Sequence, residues 1–301
     1  MHSFAKLLII LAASTYSSAY ALTFPVTPNN DVVGKVITFP AKYEDTFAHY
    51  GREYDMGAYS LERANPGVDP WIPGRGTQIT IPAATILPQG ARNGIVINLP
   101  ELRLFYFDNA HQVTVYPVGI GRAGWETPLI SGATVTAKAK DPIWTVPKSI
   151  LAEHEALGKP ISPVVMPGKD NPLGNHAMRL SLPGYLIHGT NSSIGVGRRV
   201  THGCIRLFPN DIEALFSVVP VGTTVHIINE PIKAGWNGNE LYLEVHPTLE
   251  EYVMTPEQSK VSLVNILERE IQGRRANIDW NLVHKMMIQQ TGVPQVIGTG
   301  M

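Results

Sequence analysis

The chain has 301 residues, 44% hydrophobic and 16% charged, with a net charge of −1. That balance excludes a nucleic-acid binder working through a basic surface. Glycine (27) and proline (24) are too frequent for a mainly helical protein and fit a turn-rich β protein; the length allows more than one domain.

The N-terminus has three parts. Met1–Lys6 is short and mildly positive, Leu7–Ala13 is apolar, and Ala19-Tyr20-Ala21 has the A-x-A pattern of a cleavage site. The order predicts an export signal over 1–21, cleaved near Ala21. Its apolar core is shorter than the ~20 residues a membrane span needs, and no later run reaches that length, so no span is expected after cleavage.

Leu22–Gly34 reads as an extended leader. Residues 37–82 read as a small module: a strand at 36–39, a helix over 44–54 with Phe47, Tyr50 and Tyr54 at helical spacing, a second helix over 57–65, and a closing strand ending at Pro82. The stretch EDTFAHYGREYDMGAYSLERANPGVDPWIPGRGTQITIP resembles the LysM family, with Arg75 and Thr77 departing from its usual pattern. Such modules bind N-acetylglucosamine-containing glycans, so the resemblance implies a peptidoglycan-binding anchor.

Residues 83–93 read as a Pro/Gly linker. Strands are predicted at 95–99, 103–107, 112–118, 134–139, 177–182, 185–188 and 223–228, with a turn at Asp108-Asn109. The Pro/Gly-rich stretch 142–175 carries one helical signal, at 149–157, and its length suits a lid or binding loop. Asn210 with Glu213 reads as a capping box opening a helix. In the tail, Thr255-Pro256-Glu257 starts a helix with Val261, Val264, Leu267 and Ile271 on one face, ended by Gly273. A second helix runs over 279–290, stopped by Gly292. Residues 231–301 are therefore expected to be a helical pair packed on the catalytic part.

The single cysteine, Cys204, lies in Thr201-His202-Gly203-Cys204-Ile205-Arg206. A lone cysteine in an exported chain is either an intermolecular bridge or a free thiol. A thiol attacks as thiolate and needs a base. Two histidines qualify: His202, two positions before it, and His188, sixteen before it, at the end of an apolar strand. Backbone amides at the glycine turn, Gly203 and Cys204, can serve a developing oxyanion, and Arg206 suits a substrate carboxylate. His154, His176 and His226 lack a partner motif. Trp125 and Trp144 are either groove-lining or core residues.

HGTN at 188–191 followed by HGCIR at 202–206 resembles the L,D-transpeptidase signature. The similarity to bacterial envelope members extends over about 94–230, through GIVINLPELRLFYF, YPVGIGRAGWETP and DNPLGNHAMRLSLPGYLIHGTN, and on to about 247. It implies a mainly β fold: a β-sandwich or mixed-sheet catalytic domain at 94–230, beside the small α+β module and the helical tail. It further implies Cys204 as nucleophile, His188 as base and the Gly189 carbonyl as orienting partner. The amides around His202, Gly203 and Cys204 would hold the oxyanion; Arg206 and Asn191 would position substrate, and Thr201 keeps the motif intact. Neither metal nor cofactor is implied. The expected partners are peptidoglycan stem peptides and glycan in the periplasm. The acceptor is open between a second stem peptide, a lipoprotein or outer-membrane protein amine, a free D-amino acid and water.

Overall fold

The apolar runs between 94 and 118 form three adjacent antiparallel strands, Gly94–Asn98, Arg103–Asp108 and Gln112–Pro117. In the computed structural model, which describes residues 22–90, 92–108, 111–272 and 274–301, they belong to a nine-stranded mixed sheet. Its order is Leu22–Pro25, Gln112–Pro117, Arg103–Asp108, Gly94–Asn98, Thr224–Ile228, Ile130–Lys140, His176–Leu180, Leu186–His188, Ile205–Arg206. Two neighbouring pairs are parallel: Gly94–Asn98 with Thr224–Ile228, and Leu186–His188 with Ile205–Arg206. The expected export signal, position 109 of the expected turn and the helix stop at Gly273 lie outside the described residues. The expected leader supplies an edge strand, Leu22–Pro25.

The N-terminal module is a strand–helix–helix–strand unit. Val36–Pro40 pairs with Gln78–Pro82, and helices α1 (Phe47–Glu53) and α2 (Ala58–Ala64) lie between them. Phe47, Tyr50, Leu61, Ile79 and Ile81 form its core. α1 starts at Phe47 rather than at 44 because Thr46 caps it, accepting from the His49 amide, while Asp45 is held by the Lys42 amide and the Tyr50 hydroxyl. The expected linker is structured: Thr85–Ile86 pairs with Val32–Val33, and Thr85, Ile86 and Leu87 are buried.

Between the sheet strands, residues 142–175 carry helix α3 (Lys148–Ala156) and a small antiparallel pair, Trp144–Thr145 with Val164–Val165. Helix α4 (Pro209–Val218) lays Ile212 and Leu215 onto the main core, which also holds Ile95, Leu104, Val135, Ile187 and Ile205. Its start differs from the expected capping box. Pro209 occupies the first turn with its fixed φ, so Phe208 is the N-cap and Asn210 is already helical.

The tail holds its two helices, α5 (Pro256–Ile271) and α6 (Trp280–Gln289), and also a four-stranded antiparallel sheet: Ile232–Asn237, Glu240–Val245, Gln295–Gly300 and Ala276–Ile278. α5 opens with the expected Thr255 cap, reciprocated by Gln258 as a capping box. Its apolar face differs from the expected one. Leu263 and Leu267 are buried against Trp236, Leu243, Val283 and Ile297, whereas Val261 and Val264 face solvent. α6 ends at Gln290, which itself takes the left-handed conformation at φ 48°, before Gly292.

One buried polar network joins linker, main sheet and tail. Lys233 Nζ donates to Glu101 at 2.8 Å and to the Ile86 carbonyl at 2.6 Å, and lies 3.3 Å from Glu244. Glu244 accepts from the Ile86 amide at 2.6 Å and from His246 at 2.7 Å, and Arg103 flanks both carboxylates at 3.7 Å. Glu101, Glu244 and His246 have the ligand types and proximity of a metal site. The positive charge between the carboxylates is Lys233, and its ammonium stands where a cation would sit.

Candidate active site

Two short parallel strands build the site. Ile187 lies opposite Ile205 and His188 opposite Arg206. Both isoleucines are wholly buried in the core, so strand alternation puts His188 and Arg206 on the other face. Cys204 directly precedes the Ile205–Arg206 strand, and the Arg206 charge acts on both its thiol and the His188 imidazole. The Cys204 Sγ lies 3.6 Å from the Gly184 carbonyl oxygen and accepts from the Leu186 amide.

His188 is buried, and its Nδ1 stands 2.6 Å from the Gly189 carbonyl oxygen. A carbonyl only accepts, so Nδ1 carries the proton and Nε2 keeps its lone pair. Burial, then the nearby Arg206 charge, push the imidazole down to about 4, so it is unprotonated at neutral pH. The Cys204 thiol is raised by burial, opposed by the Leu186 amide and Arg206. Both shifts favour the neutral forms, thiol and imidazole.

The Cys204 loop is held from both sides. Thr201 Oγ1 donates to the Cys204 carbonyl at 2.6 Å and accepts from the Gly203 amide at 3.2 Å. Thr127 Oγ1 donates to the Gly203 carbonyl at 2.8 Å. Gly203 has φ +98°, and a Cβ there would stand 2.8 Å from Tyr185 Cε1. Since the Gly203 amide already meets Thr201, the Cys204 amide is the better oxyanion donor of the two.

His202 is engaged elsewhere. Its Nε2 lies 2.6 Å from Glu153 Oε2 on α3 and 3.1 Å from Arg122 Nη2, and Arg122 also pairs with Glu153 Oε1. Trp125 stands edge-on to the His202 ring at 4.7 Å. The 142–175 segment meets His202 and Arg122 through the Glu153 carboxylate, whose pKa is lowered by hydrogen bonds from His202 and Arg122. Sequence reading singled out neither Arg122 nor Glu153: the two are far apart in the chain, and no local spacing links them to His202.

Arg206 packs on Gly195, where a Cβ would meet its Nη1 at 2.7 Å, and its buried Nε has no partner among the described residues. Asn191 is exposed and donates to the Lys169 carbonyl at 3.3 Å, which ties its loop to the 142–175 segment. His176 is buried against Phe216, and His154 sits at the surface beside the Lys159 carbonyl. Trp144 lies in the small pair with Val165.

Comparison with known proteins places these residues in context. A family model described as the L,D-transpeptidase catalytic domain matches residues 92–227. The chain is 39% identical over 295 residues to the probable L,D-transpeptidase YcfS of Escherichia coli, covering 93% of this chain and 92% of that protein. It is 42% identical over 238 residues to the probable L,D-transpeptidase YbiS of Escherichia coli, covering 77% and 78%. Against the probable L,D-transpeptidase ErfK/SrfK of the same organism it is 35% identical over 291 residues, covering 94% and 93%. Among the described residues no helix is long and apolar enough to cross a membrane.

Proposed function

Because the chain belongs to the L,D-transpeptidase family, we propose that it transfers an acyl group of a peptidoglycan stem peptide through Cys204. The observation that carries this is Arg206 standing opposite His188 and acting on the Cys204 thiol, with the His188 tautomer set by Gly189.

As the thiol attacks the L-centre carbonyl of the third stem residue, His188 Nε2 takes the Sγ proton and the C–S bond forms. The oxyanion is met by the Cys204 amide. Collapse breaks the C–N bond to the terminal D-alanine, whose amine leaves with the proton from His188. An acceptor amine then attacks the thioester, gives a proton to His188, and the sulfur departs and recovers that proton. Arg206 lowers the cost of the thiolate that forms during attack. A second stem peptide as acceptor gives a 3–3 crosslink; a protein amine gives wall attachment; water gives carboxypeptidase activity.

Residues 1–21 direct export to the periplasm in this reading, and the strand–helix–helix–strand unit at 37–82 is a LysM-like module that docks on the glycan.

Intact-mass spectrometry of residues 22–301 mixed with a disaccharide-tetrapeptide tests the reading. A tripeptide adduct on Cys204 with release of D-alanine is expected, and a dimer in the same run would identify the acceptor as a stem peptide. Absence of an adduct would leave a wall-binding protein without transferase activity.

A further inference from the structure

Arg122, His202 and Glu153 form a carboxylate cradle that is already filled. Glu153 gives one oxygen to Arg122 Nη2 and the other to His202 Nε2, the latter at 2.6 Å. One donor per oxygen is how a fixed cationic or donor pair holds a carboxylate. The two donors belong to the catalytic sheet region, whereas the carboxylate arrives from α3 in the long 142–175 segment. Arg122 follows Ile120–Gly121, which pairs in parallel with Arg199–Thr201, and the Arg122 amide donates to the Thr201 carbonyl at 3.1 Å. That ladder fixes the Arg122 backbone beside the His202 loop without help from α3. Trp125 closes one side, edge-on to His202. The side chains of Arg122, Glu153 and His202 keep 37%, 27% and 26% of their exposure, so a solute can reach the cradle.

We propose that Arg122 and His202 form the subsite for the terminal carboxylate of the donor peptide, and that Glu153 occupies this subsite until the donor displaces it. The inference rests on the activity proposed above. His202 is two residues from the nucleophile. In the donor, the carboxylate of the leaving residue is one residue beyond the attacked carbonyl, about 3.8 Å along the chain from one Cα to the next. A donor longer by one residue would carry its carboxylate roughly 3.3 Å past the cradle. The subsite therefore selects a leaving group of a single amino acid with a free carboxylate. Displacement of Glu153 also releases α3 from Arg122 and His202, so that donor binding and release of α3 are one event. Arg206 does not duplicate this role, since it lies beside the sulfur and acts on the thiol.

The test compares two soluble donors, a disaccharide-tetrapeptide ending in D-alanine and the same compound ending in D-alaninamide, by steady-state kinetics. The intact enzyme should prefer the carboxylate by about tenfold or more in kcat/KM, the lower end for a charge-assisted pair that solvent reaches. Arg122→Gln should remove most of that preference through KM, while the rate of Cys204 alkylation by iodoacetamide stays at the wild-type value. Arg122→Lys, which keeps the charge without the fork, should fall between the two. Glu153→Gln should keep the preference and lower KM for the carboxylate donor. Equal use of both donors by the intact enzyme, or an unchanged ratio in Arg122→Gln and Arg122→Lys, overturns the subsite. An unchanged KM in Glu153→Gln overturns its occupancy by Glu153. Turnover of neither donor overturns the activity itself and the subsite with it, which separates that failure from loss of the preference alone.

Discussion

His188 Nδ1 is hydrogen-bonded to the carbonyl oxygen of its own neighbour, Gly189, at 2.6 Å. In the proposed mechanism the base is thus oriented by backbone, which is placed by the same strand end that places the imidazole. Gly189 is held in turn by its amide, which donates to the His176 carbonyl at 3.0 Å, and by Ile212 of α4, which would lie 2.9 Å from a Cβ at this position. An orienting partner of this kind contributes no charge that would hold an imidazolium, which agrees with the depressed His188 pKa.

The pH behaviour follows from that neutral pair. Acylation by substrate should stay level from neutral pH down to about 5 and fall as His188 protonates near 4. Alkylation of the resting enzyme by iodoacetamide should rise only in the alkaline range, because burial raises the thiol. A fast alkylation plateau between pH 5 and 8 would mean a thiolate–imidazolium pair and would contradict the assignment. The stability sign is the same: an unfolded histidine takes up its proton near 6.5 and the folded one near 4, so stability falls as pH drops through that window.

Gly203→Ala tests the loop that presents the sulfur. Left-handed backbone costs an L side chain roughly 1–2 kcal/mol, and the new Cβ would lie 2.8 Å from the Tyr185 ring. The ring edge must move or the loop must turn, and either shifts Cys204 relative to His188. Activity should fall by about 100-fold, since a shift of about 1 Å in a reacting group costs that much. A small loss of melting temperature should accompany it. Kinetics of the folded variant check this; activity within threefold of wild type would show that the loop tolerates the change.

The sequence made the Cys204 motif, both nearby histidines and most strands of the main sheet legible because these signals are local. HGTN and HGCIR stand sixteen positions apart, histidine to cysteine, and runs such as IVINL and RLFYF keep their apolar pattern. The Arg122–Glu153–His202 cluster was not legible, because three segments meet only after the long connection folds back. The tail sheet was hidden for another reason. Lys233 and Glu244 are buried in their strands, 1% and 0% exposed; Lys233 pairs with Glu244 and Glu101, and Glu244 also accepts from the Ile86 amide and His246. Charged residues at interior positions break the apolar alternation by which a strand is read. The Asn210 capping box failed because Pro209 begins the helix two residues earlier than a cap at Asn210 would allow.

The same network gives a stability prediction. Lys233→Met would leave Glu101 and Glu244 buried without their ammonium, and breaking a buried ion pair costs about 3–5 kcal/mol. Adding Glu244→Gln should recover part of that loss, since it removes one of the stranded charges. Urea denaturation of the single and double variants measures both. A single variant as stable as wild type would show that Arg103 alone balances the carboxylates.

The N-terminal unit is joined to the catalytic loop more closely than a tethered anchor would be. Gly57, at the start of α2, touches Gly197, where a Cβ would stand 2.2 Å from the Gly57 Cα. The Tyr59 amide donates to the Gly197 carbonyl at 3.1 Å, the Ala58 amide to Val196 at 3.4 Å, and Glu62 pairs with Arg198 at 2.5 Å. Residues 196–198 lie on the segment between His188 and Cys204, so α2 braces the connection between the proposed base and nucleophile. The seam also buries Asp55 beside Asp211 of α4, each carboxyl raised chiefly by burial. Deleting 37–82 should therefore lower kcat on a small soluble donor by about tenfold or more, where glycan docking plays no part. Gly197→Ala, with φ +73° and no room for a methyl, should reproduce part of the loss while keeping the module. Full activity of the deletion variant on the soluble donor, with retention on purified sacculi lost, would make the module an anchor and the seam a packing contact. Loss of both would give the module a structural share in the site.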